Sequence, residues 1–497
     1  MAREPVTRMQ LDAYRFGQRR LESALARRDP VLLHEEIRGQ RRVVITGLVL
    51  AMLALVGAFA YAKLANKPAW ERQEIIAAKQ SGRMFVVIHR PDRLVPVRNL
   101  AAARLVLTAA GRSAGRGGSE GKGEPTVLDD AVLDQAPRTP TAAVSGADGV
   151  RLPIGPDLAE VGPWAVCDMA GPSPQTIVVG GASTAAPMPT EQGLLLESPE
   201  QDLYLVTDGH RYRMDSVDPL RRAYDLVDVH PRKVSNALLS VIPEGRALGM
   251  PVIPNAGAAA PGRLPAVVGD IVRAASATGD RYYLVLGNGV EEVSEPVANL
   301  VRTGPGIDRS QPPTLVSTER INAIGRVRLA GLDQFPGIMP KAPAGMDSQT
   351  LCWQWGKDGK DGAATIARDA PVPPGQQRTQ LAQADGLGPR LDVVSVPTGV
   401  PVVVHTVADR GGGLWLVSDT GVGYQVAAGA NGNNETATAL GIQPDAASPA
   451  PEQALRLLPS GPDLDLQSAT RTVDVLVNTG DVGAAPPAVR ARTPTQR

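Results

Sequence analysis

The chain has 497 residues, and its 51 Lys+Arg balance 51 Asp+Glu to a formal net charge of zero, so no global charge draws it to nucleic acid. Hydrophobic residues at 43% exclude wholesale disorder, and the length exceeds what one core usually needs, so several folded modules are expected. Aromatics are only 3% while Gly (52) and Pro (44) are plentiful, which favours short strands and tight turns over long buried helices.

Residues 1–42 read as one amphipathic helix. Leu11, Tyr14, Leu21 and Leu25 fall on one face of a 3.6-residue period, with Arg15, Arg19, Glu22 and Arg27 around the rest. Such a helix either docks on a cytosolic partner or anionic lipid, or is a solvated juxtamembrane segment; the pattern shows a face but not its partner. Val43 to Ala62 follows, an uncharged run long enough for about 30 Å of helix, which spans a bilayer. A cleaved signal peptide is the rival, helped by small residues at Ala58, Ala60 and Ala62. The long leader and the length of the apolar run favour an uncleaved anchor. Close to the span the positive charges nearly balance. The wider leader adds Arg3, Arg8, Arg15, Arg19 and Arg20, placing the N-terminus in the cytoplasm and the bulk outside.

Beyond the span, residues 63–108 read as a first membrane-proximal repeat. Phe85–Ile88 and Leu94–Val97 form two short strands around Arg90-Pro91-Asp92-Arg93, and a short helical turn covers Asn99 to Leu105. Residues 109–152, containing the Gly/Ser-rich stretch Gly111 to Gly123, read as a linker or loop. Residues 153–483 are expected to hold the extracytoplasmic core. Within it the pattern strand, Gly turn, strand, helix N-terminus recurs: Leu203–Gly209 with Tyr212–Met214 and Val234–Leu239; Tyr282–Gly289 with Glu292–Ser294 and Ala298–Val301; Leu414–Gly421 with Tyr424–Val426 and Glu452–Leu455. A hairpin plus one helix buries too little alone, so the copies should pack on each other or on a central core. Pro251–Pro254 and Val267–Val272 also look strand-like, and Trp164–Asp168 and Leu351–Trp355 look like central strands. Ala484 to Arg497 reads as a disordered Pro/Arg tail.

The two cysteines, Cys167 and Cys352, are too far apart in sequence to make a zinc site. They read as buried thiols in a cytosolic protein and as one disulfide in an oxidising compartment, where closing the loop adds roughly 3–5 kcal/mol. Near-matches to catalytic motifs fail. Gly111-Arg112-Ser113-Ala114-Gly115 is followed by glycines rather than a helix, so Ser113 is no nucleophile elbow. Gly117 to Lys122 is one residue short of a phosphate loop, and Gly123 stands where Ser/Thr would hold magnesium. His34-Glu35-Glu36-Ile37-Arg38 has Arg where a zincin needs its second His. The 5 histidines show no ligand spacing, and no carboxylate pair serves as general acid and base, so neither a metal nor a cofactor is expected.

The order of basic leader with Tyr14-Arg15-Phe16 and Arg19-Arg20-Leu21, single span, degenerate repeats and two cysteines resembles EccB, a membrane-complex component of the type VII (ESX) secretion systems of actinobacteria. The most specific stretch is Leu94-Val95-Pro96-Val97-Arg98-Asn99-Leu100-Ala101-Ala102-Ala103-Arg104-Leu105, similar to the family's L-x-P-x-x-N-L-x-S-A-R-L but with alanine in place of its serine. Trp164 to Asp168 and Cys352-Trp353 add to it; the Gly111–Gly123 insert and Leu152 to Asp157, a loose I-P-G-A-P, depart from it. The resemblance implies an α+β fold: an elongated periplasmic module with a β-rich central core, four repeat domains and one disulfide. It also implies partners, namely the FtsK-like ATPase EccC, EccD, EccE and the mycosin protease, with self-association in the periplasm and contact with membrane lipid. The implied role is structural, a scaffold for protein export. Some family members are described as ATPases, which makes ATP hydrolysis one alternative. A membrane-tethered cell-wall binding module is another, although Trp70, Trp164, Trp353, Trp355 and Trp415 offer few rings for stacking sugars.

Overall fold

The computed structural model describes residues 7–28, 33–64, 69–113, 124–152, 158, 160–171, 174–276, 279–304, 311–407, 412–429 and 432–473. The chain divides into two compact parts, 1–72 and 73–497.

The first part is helical. Helix α1 (Arg8–Arg27) begins where the Thr7 N–H donates to Gln10 Oε1 at 3.0 Å, and it ends at Arg28 in the left-handed region, φ 53°. Helix α2 (Leu33–Leu64) follows. The expected single helix over 1–42 is therefore two, with 33–42 belonging to the helix that carries the span. Asp29-Pro30 stands between them in the sequence, and proline both removes a ladder donor and restrains the residue before it. Within α2, Arg41–Tyr61 is long and apolar enough to cross a membrane. The Thr46 hydroxyl donates back to the Arg42 carbonyl at 2.7 Å, so this polar group in the apolar stretch is satisfied within its own helix.

The second part is mixed α+β, built from four four-stranded sheets and one of six strands. The first module comprises β1 (Ile75–Ala78), β2 (Met84–Ile88), β3 (Arg93–Val97), α3 (Leu100–Ser113), β4 (Thr126–Leu128) and α4 (Asp130–Leu133). Its first three strands form an antiparallel meander; α3 then carries the chain across so that β4 pairs parallel to β1. The chain enters the centre with β5 (Trp164–Met169) and β6 (Gln175–Gly180). The second module is β7 (Leu194–Glu197), β8 (Leu203–Thr207), β9 (His210–Arg213), α5 (Val217–Ala223), β10 (Arg232–Lys233) and α6 (Asn236–Val241). The third is β11 (Ile271–Ser276), β12 (Gly279–Leu286), β13 (Gly289–Val293), α7 (Glu295–Val301), β14 (Thr314–Leu315) and α8 (Thr318–Asn322). The centre is then completed by β15 (Thr350–Gln354), β16 (Ala363–Ala367), β17 (Thr379–Gln380) and β18 (Val393–Ser395). The fourth module has β19 (Val402–Val407), β20 (Leu414–Val417), β21 (Gly423–Val426), α9 (Glu435–Leu440), β22 (Ser448–Pro451) and α10 (Glu452–Leu457), and α11 (Leu466–Ala469) ends the described chain's elements.

All four modules have one strand order, third–second–first–fourth. Each closes in the same way. After its last helix the chain crosses to the far edge and runs parallel to the third strand. The bridging bonds correspond: Leu94 N–H to Pro137, Arg211 to Pro243, Val290 to Gly325 and Gly423 to Pro459. Each return segment thus covers an edge that would otherwise expose unpaired backbone groups. The turn between β8 and β9 shows why glycine recurs here: Asp208 and Gly209 both have positive φ, 48° and 72°, as a two-residue hairpin turn requires.

Several sequence expectations change. Residues 63–108 are not a complete module, because β4 and the return segment through Ala142 belong to the first sheet. For the same reason 109–152 is not a linker in its described part: α3 runs to Ser113, and 124–152 packs against the sheet through Leu128, Leu133, Ala142 and Val144. Residues 114–123, holding most of the glycine-rich stretch, lie outside the described residues, as does the tail 484–497. The helices assigned to the recurring pattern fall out of step. Val234–Leu239 and Glu452–Leu455 fall on the second helix of their modules, whereas Ala298–Val301 falls on the first. Several strands carry no expectation from the sequence: β7, β10, β14 and β22 are two to four residues long with no alternation to read, and the six-residue β6 and β19 went unread as well. Pro251–Pro254 is not a strand, and Val252 is exposed.

Candidate functional site: the disulfide-braced centre

The six-stranded sheet has the order β16-β15-β5-β6-β18-β17. Its middle strands are apolar on both faces: every residue of β15 and all but the last of β5 are buried, which explains their continuous rather than alternating hydrophobic runs. One core cluster joins Trp164, Val166, Leu351 and Trp353 of the centre to Leu194 and Leu238 of the second module and Val404 and Leu455 of the fourth. A second cluster joins Val95, Ala102 and Leu105 of the first module to Tyr424, Leu440 and Leu466. The Val473 N–H donates to the Thr141 carbonyl, so the end of the described chain is tied back to the first module.

Cys167 and Cys352 face each other across β5 and β15 and form a disulfide, 185 residues apart in sequence. Both are buried. The bond closes a loop that contains the whole of the second and third modules, the geometry in which a cross-link removes most unfolded-chain freedom.

Sequence reasoning missed the polar network beside it. Asp168 is buried and accepts from the Ser235 N–H at 2.6 Å, the Ser235 hydroxyl at 2.7 Å and the Thr176 hydroxyl at 2.9 Å. Ser235 also caps α6, accepting from the Leu238 N–H at 2.9 Å. Arg232 donates to the Asp168 carbonyl at 3.2 Å and the Met346 carbonyl at 2.8 Å. The Thr176 N–H in turn donates to Asp392 at 2.7 Å, whose other oxygen accepts from the Asp385 and Gly386 N–H groups at 2.7 and 2.8 Å. Burial pushes the Asp168 carboxyl above its ordinary value, opposed by the Ser235 and Thr176 donors and the Arg232 charge. Burial likewise lowers the Arg232 guanidinium, opposed by Asp168 and Asp347. Two carboxylates bridged by one threonine thus fasten the start of α6 to the central sheet. A buried set of this kind holds one arrangement and tolerates no missing member.

The four helix residues singled out in the leader lie on α1 and are all exposed: Leu11 42%, Tyr14 68%, Leu21 65% and Leu25 79%. Met9 and Phe16, also exposed, lie away from that face. Among the described residues no three His, Cys, Asp or Glu side chains come together as a metal site. His89 meets Asp92, while His210 and His405 meet the carbonyls of Asp208 and Ala447. Gly117 to Lys122 lies outside the described residues, and Ser113 closes α3.

The family description "Type VII secretion system ESX-1, transport TM domain B" matches residues 3–478. The chain is 29% identical over 488 residues to "ESX-3 secretion system ATPase EccB3" of Mycolicibacterium smegmatis, covering 92% of this chain and 89% of that one. It is 26% identical over 494 residues to "ESX-1 secretion system ATPase EccB1" of the same species, covering 95% and 96%. Among solved structures it is similar to a chain of "Structure of an intact ESX-5 inner membrane complex", with TM-score 0.62 and 25% identity over 96% of this chain and 97% of that one. It is similar too to "Structure of EccB3 dimer from the ESX-3 core complex", with TM-score 0.63 and 25% identity over 80% and 99%. A transmembrane-length helix, five sheets and a bridged central pair therefore sit in a sequence that matches along nearly its whole length, and the chain belongs to the EccB family of type VII secretion proteins.

Proposed function

We propose that this chain is a structural subunit of a type VII secretion inner-membrane complex, anchored by α2 and assembling the extracytoplasmic part of that complex for protein export. The observation that carries the reading is the likeness, over 96% of the chain, to a component of an intact inner-membrane complex. In this reading the arginine-rich leader stays in the cytoplasm and residues 73–497 lie outside, where an oxidising compartment suits the Cys167–Cys352 bond. The four modules of shared strand order are degenerate copies of one repeat, and together with the braced centre they form an assembly platform that associates with further copies of itself. The Leu11, Tyr14, Leu21 and Leu25 face of α1 docks on the cytosolic or membrane side of the complex. The partners are EccC, EccD, EccE and the mycosin protease.

The relatives' printed names call them ATPases, so ATP hydrolysis within the complex is the second reading. The test is affinity purification of the tagged chain from gently solubilised membranes, with native sizing and mass spectrometry. A megadalton species holding an FtsK-like ATPase and multispan proteins is expected, and its yield should fall with Leu21→Ser and Leu25→Ser together. A lone monomer or dimer overturns the scaffold reading. ATP turnover by the chain purified free of that ATPase would support the second.

A further inference from the structure

The four return segments put the modules in register residue by residue. Thr139, Gly245, Val327 and Gly461 are equivalent, because each donates its N–H to the third-strand carbonyl of Leu94, Arg211, Val290 and Gly423 respectively. The next residue of each third strand, Val95, Tyr212, Glu291 and Tyr424, is then equivalent too. In the second and fourth modules this slot holds a buried tyrosine ring lying against glycine. A Cβ on Gly245 would come within 2.4 Å of the Tyr212 ring, and one on Gly461 within 2.3 Å of the Tyr424 ring. The first module fills the slot with a buried valine.

The third module departs from all of them. Glu291 occupies the slot with 6% of its surface exposed, and Val327 replaces the glycine. Glu291 Oε2 accepts from the Leu329 N–H at 2.5 Å; Oε1 has no donor among the described residues. Beside Glu291 and Val327 lies a cavity of about 680 Å³, with Val290, Val297, Leu332 and Phe335 giving apolar wall and Glu291, Asp333 and Arg328 giving charge. Glu292 and Arg326 also line it but pair with each other at 3.0 Å. Arg328 has no ion-pair partner among the described residues. A missing ring would ordinarily be compensated by apolar packing, since an empty slot is costly. The second Glu291 oxygen is left to whatever fills the cavity, water or a ligand that donates to it.

We propose that this cavity binds a short peptide or amino-acid-like ligand through a primary amine or guanidinium seated on Glu291. The volume falls in the range of small-ligand sites and exceeds what one ammonium group needs, so the apolar wall contacts the ligand's body. Asp333 adds a second negative charge to the lining, and Arg328, near enough to act on the Glu291 carboxyl, has no ion-pair partner among the described residues and can donate to a ligand's carboxylate. Burial raises the Glu291 carboxyl, opposed by the Leu329 N–H, with Asp333 raising it further and Arg328 lowering it. A bound cation offsets that burial. The site stands independently of the secretion reading, since it rests only on the third module.

The test is calorimetric titration of the full-length, detergent-solubilised protein with the tripeptides Ala-Lys-Ala and Ala-norleucine-Ala, both N-acetylated so that the lysine side chain carries the only amine and the C-terminal carboxylate is kept. The lysine peptide should bind at least about tenfold more tightly, the worth of a charge-assisted hydrogen bond. Glu291→Gln keeps an acceptor for the Leu329 N–H and should erase that preference. The double variant Glu291→Tyr with Val327→Gly rebuilds the tyrosine–glycine filling of the sister modules and should abolish binding of both peptides while the chain stays folded. Absence of lysine-peptide binding at millimolar concentration overturns the proposal, as does equal affinity for the two peptides. A preference that survives both substitutions places the amine elsewhere and overturns it as well.

Discussion

The second and third modules share a strand order, a helix plan and a closing segment, yet they are used differently. The second buries one face of its sheet, through Leu194, Leu196 and Val206, in the core of the central sheet, and is fastened there by Asp168 and Ser235. The third packs its two clusters from its own residues, around Tyr283 and Val285 on one side and Leu284 and Val297 on the other. Its ties to the rest run through the second module, where Leu300 joins the core around Tyr224 and α7 meets α5. One topology thus serves as a structural wedge in one position and as a self-contained appendage in the other. The appendage is also the module whose slot holds a carboxylate instead of a ring, as expected where no junction depends on filling it.

The sharpest way to break this comparison is at the junction. Asp168→Ala removes the acceptor of three donors and leaves the Arg232 guanidinium buried without its nearest carboxylate. The expected loss is about 3–5 kcal/mol, read by chemical denaturation of the solubilised chain. Limited proteolysis of the variant should release the second and third modules together, still joined to the rest through the Cys167–Cys352 loop until reductant is added. A variant as stable as the parent would mean that the apolar core alone holds the second module.

A smaller effect separates the slots. Gly245→Ala drives a methyl into the Tyr212 ring and should cost about 1–3 kcal/mol, with Gly461→Ala against Tyr424 in the same range. Val327→Ala at the equivalent place in the third module meets a cavity rather than a ring and should cost less than about 1 kcal/mol. Costs at Gly245 and Gly461 as small as that at Val327 would mean that the tyrosine rings move aside freely and do not fix their slots.

How much of this was legible in the sequence depends on which signal each element carried. The apolar run at Val43–Ala62, the central strands with their cysteines and the hairpins with Gly turns were readable because length, burial on both faces and positive φ leave marks in composition. The modules' outer strands were not. Thr314–Leu315 and Arg232–Lys233 are strands only because a distant first strand accepts them, a tertiary fact with no local trace. The Asp168 network was hidden for the same reason, its donors lying 8 and 67 residues away along the chain. Glu291 looked like one more scattered acid until the register of the return segments set it against Tyr212 and Tyr424.

That register also makes a prediction about pH. Burial and Asp333 hold the Glu291 carboxyl above its ordinary value of 4.5, against the pull of the Leu329 N–H and Arg328. The charged groups facing it are Asp333, Arg328 and the Glu292–Arg326 pair, and arginine does not titrate in the relevant range. Without ligand, a raised carboxyl contributes stability at acid pH that is lost as pH rises through its folded value. Cation binding runs the other way, because only the ionised carboxylate attracts an amine. Affinity for Ala-Lys-Ala should therefore fall as pH drops through the folded value, by up to roughly tenfold per pH unit below it. Glu291→Gln should flatten that profile to the one given by Ala-norleucine-Ala. If the profile keeps its slope in Glu291→Gln, the amine is not seated on Glu291, and the third module differs from its sisters by one lost ring rather than by a gained site.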